Sequence, residues 1–337
     1  MSKTISLEEF EAQCVALGAK PGHLRRIWRA WMGQATWEAG PHEAFPKALS
    51  QALEGLRAQL EGLARILPIQ SAQSDCLKLL VGLVDGHCVE AVLLPREALC
   101  VSTQVGCAVG CLFCMTGKGG LVRQLSSAEI VAELVAALRI RPTIKKVVFM
   151  GMGEPSHNLE NVRQAVEFIG NVAGFAHKEI VISSVGDRRL FEAMPTWSVR
   201  PAFALSLHTT DNEKRRKLMP KAPEIPIEEL LERTLSYAES TKYPAQIEWT
   251  LMRGVNDGIA EVERLARLIE GRYAMVNFIA VNPVEGSGFS RPDNAHMQEL
   301  ITVLRRRGTV ATIRESAAQD VEGGCGQLRA RVLGGIP

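Results

Sequence analysis

The stretch CAVGCLFC, residues 107–114, places Cys107, Cys111 and Cys114 at Cys-x3-Cys-x2-Cys spacing. Three thiolates come from one short loop, and no fourth ligand stands close by; the nearest histidines are His87 and His157. A structural zinc site is closed by four ligands, so zinc here would need a distant partner. Soft thiolates also suit iron–sulfur clusters. Three of them on a four-iron cubane leave one iron open to a small molecule. The spacing therefore points to a cluster, with zinc and incidental thiols as the alternatives.

Outward from this loop the chain alternates between strand and helix patterns. Candidate strands lie at 99–104, 146–150, 179–183, 202–207, 246–252 and 276–281. Helical spacing lies between them, at 126–139, 158–171, 226–240 and 259–271. A helix at 294–306 and a strand at 309–313 follow. Such alternation predicts a parallel sheet with outer helices, an α/β fold. About six units are present, fewer than a complete eight-fold barrel, so a partial (β/α)6 barrel over 98–337 is expected.

The first 75 residues read differently. Leu7, Phe10, Cys14 and Leu17 recur at helical spacing, as do Leu24, Ile27, Trp28 and Trp31. A further helix is expected from residue 48 to about 67, ending before Pro68. A small helical accessory domain over 1–75 follows from this. In CLKLLVGLVDGHCVEAVLLP two apolar runs flank Asp85-Gly86, which predicts a β-hairpin at 77–94, within an extension over 76–97.

Polar and glycine-rich motifs fall after successive strands. GMGEP (151–155) follows the second and Ser183-Ser184-Val185-Gly186 the third. Ser206-Leu207-His208 ends the fourth, Asn256-Asp257 follows the fifth, and Asn282-Pro283 ends the sixth. All would gather at the C-terminal edge of a parallel barrel, where such folds build active sites. Gly153 and its neighbours would let the backbone approach a ligand, and Glu154 would hold an ammonium group. Ser183, Ser206 and Asn282 suit the polar groups of a nucleoside cofactor. His208 is either a ligand or proton donor, or a hydrogen-bonded histidine at a strand end.

The 337 residues carry a net charge of +2 and eight cysteines. That charge neither requires nor excludes a nucleic-acid partner. The opening MSKTISLEEF is polar and unlike a secretory leader, and no apolar run is long enough for a membrane span. A cytoplasmic protein with reduced thiols and no membrane partner is expected. Cys14, Cys76 and Cys88 read as packing residues. Cys100 precedes the cluster loop, and Cys325 lies in GGCGQL. A glycine-flanked thiol suits a nucleophile and a second thiol can resolve a sulfur adduct, or the two are unrelated. Lys20, Arg25, Arg26 and Arg29 are interleaved with Trp28 and Trp31, a pattern that fits either an RNA-contacting face or an amphipathic helix with core tryptophans. Arg305, Arg306 and Arg307 read as a solvated helix end.

These residues together resemble a known family, the radical S-adenosylmethionine (SAM) RNA methyltransferases of the RlmN/Cfr type. The resemblance is carried by CVSTQVGCAVGCLFC, FMGMGEP, ALSLH, KLMP, GVND, VNP and CGQL, in family order over about 88–330. LGAKPGHLRRIWRAW resembles the family's accessory domain more weakly. The resemblance implies a 4Fe-4S cluster on Cys107, Cys111 and Cys114, and SAM contacts at Gly153, Glu154, Ser183, Ser206, Leu207, His208 and Asn282. It implies two SAM molecules per turnover, Cys325 as methyl carrier, Cys100 as the resolving thiol that forms a disulfide with it, and Glu90 as proton acceptor. The implied reaction methylates an adenine ring carbon, carbon 2 rather than carbon 8, in ribosomal or transfer RNA. A reductant such as flavodoxin or ferredoxin is implied as partner.

The chain departs from the family pattern at Met115, at Ser184-Val185-Gly186, in MPKAPEIP, and at the two glycines before Cys325. These leave the RNA and the target carbon open. A radical-SAM enzyme acting on a protein or small molecule is the competing reading. An RNA-binding or iron–sulfur sensor protein is a third, which the intact GMGEP and the five key cysteines oppose.

Overall fold

A computed structural model describes residues 4–38, 44–70, 76–282 and 287–314. Three helices come first: α1 (Leu7–Ala16), α2 (Pro21–Trp31) and α3 (Lys47–Glu61). Helix α1 is started by a capping box, with Ser6 Oγ accepting from Glu9 N and Glu9 accepting from Ser6 N. The α2 tryptophans are core residues. Trp28 and Trp31 are both 1% exposed, and Trp28 meets Phe10 and Phe168 at centroid distances of 5.0 and 5.1 Å. The cations Lys20, Arg25 and Arg29 face outward from the same helix.

The strands and helices that follow are β1 (Arg65–Gln70), β2 (Leu77–Gly82), β3 (Cys88–Leu94), β4 (Ala98–Val101), β5 (Gln104–Gly106), α4 (Met115–Lys118), β6 (Leu121–Gln124) and α5 (Ser127–Ile140). Then come β7 (Lys146–Phe149), α6 (Leu159–Glu167), β8 (Ile180–Ser184), α7 (Arg188–Ala193), β9 (Ala202–Ser206), α8 (Asn212–Leu218), α9 (Ile227–Thr241) and β10 (Ala245–Leu251). The last are α10 (Ile259–Leu268), β11 (Ala274–Ala280), α11 (Asn294–Arg306) and β12 (Val310–Arg314).

Among the described residues, one ten-stranded sheet runs in the order β1-β2-β3-β4-β7-β8-β9-β10-β11-β12. From β4 to β12 every neighbouring pair is parallel, and β1 to β4 pair antiparallel. This is the expected α/β architecture, a partial barrel with β1 and β12 as its edge strands among the described residues. The outer helices show why they form. In α9, Ile227, Leu230, Leu231, Thr234, Leu235 and Ala238 are buried at helical spacing, behind an acidic first turn of Glu228 and Glu229.

Three local expectations change. The helix expected to reach residue 67 stops at Glu61, with Gly62 as its cap, and β1 begins at Arg65. Pro68 sits inside β1, which an edge strand tolerates, and among the described residues β1 pairs only with β2. The hairpin is present as β2 and β3, but β3 pairs on to β4, so it is the margin of the main sheet. The strand expected at 99–104 breaks after Val101. Ser102 donates its N–H to Glu133 and its hydroxyl to the Glu90 carbonyl, and β5 leaves to pair with β6.

Pairing register sorts the sheet into two faces. Leu99, Val147 and Ile180 form one row, and Leu205, Ile247, Val276 and Ala311 another. These join the main apolar core beneath the helices. The opposite face carries polar groups at its rows, including Lys78, Glu90, Cys100, Ser183, Ser206, Glu248, Asn277 and Thr312. That polar inner face and the loops at its rim position the site. Among the described residues, no helix is long and apolar enough to cross a membrane.

Candidate functional site

The loops after the parallel strands converge on a cavity of about 330 Å³. Its walls include the three loop cysteines, Gly153 and Glu154, Ser183, Ser206, His208, Thr250 and Asn282. The motifs read from sequence are thus brought together. A shallow groove of about 430 Å³, between the start of α1, the end of β6 and α6, contains no thiol or histidine in its lining.

Cys107, Cys111 and Cys114 are partly exposed free thiols. Burial pushes Cys107 up to about 12 and Cys111 well above its ordinary value, with Glu154 and the neighbouring thiols acting in the same direction. Metal coordination removes such protons outright, because the ion's charge reverses the balance. No group of side chains among the described residues is arranged to chelate a single metal ion. The donor set fits a four-iron cluster with one iron lacking a protein ligand.

Gly151 and Gly153 line the cavity and also have a packing role. A Cβ at Gly151 would lie 2.6 Å from the Val101 carbonyl oxygen, and one at Gly153 would lie 2.7 Å from Thr103 Oγ1 and the Gln104 side chain. Gly153 also has φ +105°. They allow the loop to pack on residues 101–104, which aims Glu154. The Glu154 carboxylate is 4% exposed and accepts from Ser184 Oγ at 2.6 Å, Ser156 N at 3.0 Å and Val185 N at 3.0 Å.

Ser183 Oγ and Ser206 Oγ lie 3.3 Å apart on adjacent strands. His208 has φ +62°, and its Nδ1 accepts from Thr250 N at 2.9 Å. Burial, aided by Arg215, pushes the imidazole down to about 3, so it is neutral with its proton on Nε2. A neutral hydrogen-bond donor fits this geometry better than an acid catalyst. Asn256 is fully buried and ties the turn by donating to the carbonyls of His208 and Thr250, both at 2.7 Å. Asn282 accepts from Arg291 Nη2 at 3.1 Å. The Leu207 side chain is buried in the main core and is not part of the cavity walls, unlike its neighbours Ser206 and His208.

Cys100 and Glu90 lie on the inner face beside the cavity rather than in its walls. Cys100 is paired with Val92 in register, and Glu90 stands two residues before Val92. Burial pushes the Cys100 thiol up to about 12, with Glu133 and Glu90 adding to the effect. Cys325 lies outside the described residues. Cys14, Cys76 and Cys88 are buried, as packing thiols should be.

Four polar residues were not read from the sequence. Lys78 pairs with Glu90, Glu133 takes the Ser102 N–H, Arg215 is buried beneath the cluster loop, and Glu248 lines the cavity. Burial pushes Glu133 well up and Arg215 down to about 10. For Lys78 and Glu248 the available signal was a single charge within a strand-like run, CLKLLVG and AQIEWTL; Arg215, in DNEKRRKL, carried no such signal.

The profile of the radical SAM superfamily matches residues 101–269. A "Probable RNA methyltransferase" of Methylibium petroleiphilum is 52% identical over 331 residues, covering 98% of this chain and 94% of the relative. One from Bordetella avium is 50% identical, covering 97% and 94%. The crystal structure of a radical SAM methyltransferase from Sphaerobacter thermophilus superposes with a TM-score of 0.82 at 34% identity, covering 97% of this chain and 98% of that one. The chain belongs to the radical SAM superfamily, whose enzymes use SAM with a 4Fe-4S cluster.

Proposed function

We propose that the protein is an RNA methyltransferase that adds a methyl group to an adenine ring carbon, carbon 2 in preference to carbon 8, in ribosomal or transfer RNA. The observation that carries this reading is the pairing of two centres on one inner face. The thiol triad and its cavity form one, and Cys100 with Glu90 forms the other. Relatives at about half identity bear the name RNA methyltransferase. The outward cations of α2 supply a surface suited to phosphate contacts.

Cys107, Cys111 and Cys114 would hold the cluster. Gly153, Glu154, Ser183, Ser206, the Leu207–His208 backbone and Asn282 would hold SAM, with Glu154 toward its ammonium group. When bound, these groups supply the radical chemistry that an unreactive aromatic carbon requires. Cys325 would carry the methyl group as a thioether. With the carried carbon bonded to the adenine ring, Glu90 would accept the proton that leaves the ring carbon, and the Cys100 thiolate would attack the Cys325 sulfur and break its bond to the carried carbon, which keeps the electron pair and takes a proton as the RNA methyl group, leaving a Cys100–Cys325 disulfide. A small cytoplasmic reductant, flavodoxin or ferredoxin, would supply electrons.

Nucleoside mass spectrometry of ribosomal and transfer RNA from a deletion strain tests the reading. One methyladenosine should vanish and return on complementation. Unchanged RNA would favour the alternative, a radical-SAM enzyme acting on a protein or small molecule.

A further inference from the structure

One register row crosses four strands of the inner face: Ser206 on β9, Glu248 on β10, Asn277 on β11 and Thr312 on β12. Every member is polar. Thr312 Oγ1 donates to Asn277 Oδ1 at 2.9 Å, which leaves the Asn277 amide to donate to Glu248 Oε1 at 2.7 Å. An ionised carboxylate only accepts, so Glu248 sets the direction of both bonds, and the Thr312 hydroxyl, which can donate or accept, follows. Glu248 is 2% exposed and lines the cavity. Its second oxygen, Oε2, is buried and has no hydrogen-bond partner among the described residues.

A buried oxygen left unmatched weakens the fold, and an apolar residue in AQIEWTL would avoid the cost. The ladder instead holds the carboxyl in one orientation at the cavity wall. We propose that Glu248 is a ligand-binding residue, whose Oε2 takes a ribose hydroxyl of the nucleoside cofactor. This rests on the reading of the cavity as the SAM site. A hydroxyl both donates and accepts, so it matches this carboxyl in either protonation state. Burial raises the carboxyl above its ordinary range, with Arg314 opposing, which makes that tolerance useful. The neighbouring Ile279, Ala280 and Val281 supply apolar wall suited to a flat base.

The test is equilibrium binding to cluster-loaded protein of SAM and its 2′-deoxy and 3′-deoxy counterparts. Glu248→Leu should weaken SAM binding about tenfold, the worth of one hydrogen bond to an ionisable group. The loss should disappear for the deoxy ligand that lacks the hydroxyl held by Glu248. Glu248→Gln keeps the shape and the Asn277 bond and serves if the leucine variant does not fold; its loss should be smaller and follow the same ligand. An equal loss for all three ligands, or none for SAM, overturns the proposal. Wild-type protein that fails to bind SAM overturns the reading of the cavity itself, and the proposal with it.

Discussion

Lys78 Nζ lies 3.1 Å from Glu90 Oε2, and both side chains are only 1% exposed. The two come from adjacent antiparallel strands, with Lys78 opposite Val92 and Glu90 opposite Leu80. Val92 is in turn opposite Cys100. Lys78 thus shares a row with the proposed resolving thiol, and Glu90 stands in the next row of the same face. Removing one partner of such a pair costs about 3–5 kcal/mol, because the other charge is stranded. Lys78→Met should lower thermal stability by that order, and adding Glu90→Gln should restore much of it. A double variant no more stable than Lys78→Met would show that the pair is not what matters here.

The thiol loop makes a compositional prediction. Protein prepared anaerobically with iron and sulfide should be brown and contain about four irons per chain. Alanine at Cys107, Cys111 or Cys114 should abolish reductive SAM cleavage. Stoichiometric zinc with no visible absorption band would remove the cluster from these residues.

Cys100→Ala should separate bond formation from bond release. Cys325 would still take its methyl group and join RNA, but no thiol would be placed to attack the thioether sulfur. The variant should purify with RNA attached, and nuclease digestion should leave a nucleotide-sized mass on the Cys325 peptide. Adding Cys325→Ala should remove it. Normal turnover by Cys100→Ala would end the two-thiol scheme.

His208 predicts a pH dependence. Its folded value is pushed down to about 3, below the unfolded value near 6.5. The unfolded chain therefore binds the extra proton as pH falls through 6.5, so stability present above that pH is lost toward 3. Between pH 7 and 5 the loss should be about 2 kcal/mol. Asn tolerates the left-handed backbone at this position, so His208→Asn should fold and lose that part of the slope. Denaturant melts at both pH values, compared between the two proteins, measure it; identical slopes would refute the assignment.

The strand-end motifs were legible because their chemistry is local. Cys107, Cys111 and Cys114 share one loop, and parallel strands bring their C-terminal ends to one rim whatever the loops contain. The β1 strand was not legible. Leu63, Ile66 and Leu67 fit a helical or a strand pattern equally well in a short run, and the β2 edge decides between them. The tryptophans of α2 were similarly open until Phe168 packed against them.

The sequence by itself determined the alternating α/β order, the thiol triad, and the rim residues Glu154, Ser183, Ser206, His208 and Asn282, since each depends on spacing within one segment. Only the tertiary structure decided that Lys78 faces Glu90 and that Ser206, Glu248, Asn277 and Thr312 share a row. A charged residue in an apolar strand can face either side, and a one-residue shift in pairing reverses the choice. That register is set by contacts between segments far apart in the chain, which residue spacing does not record.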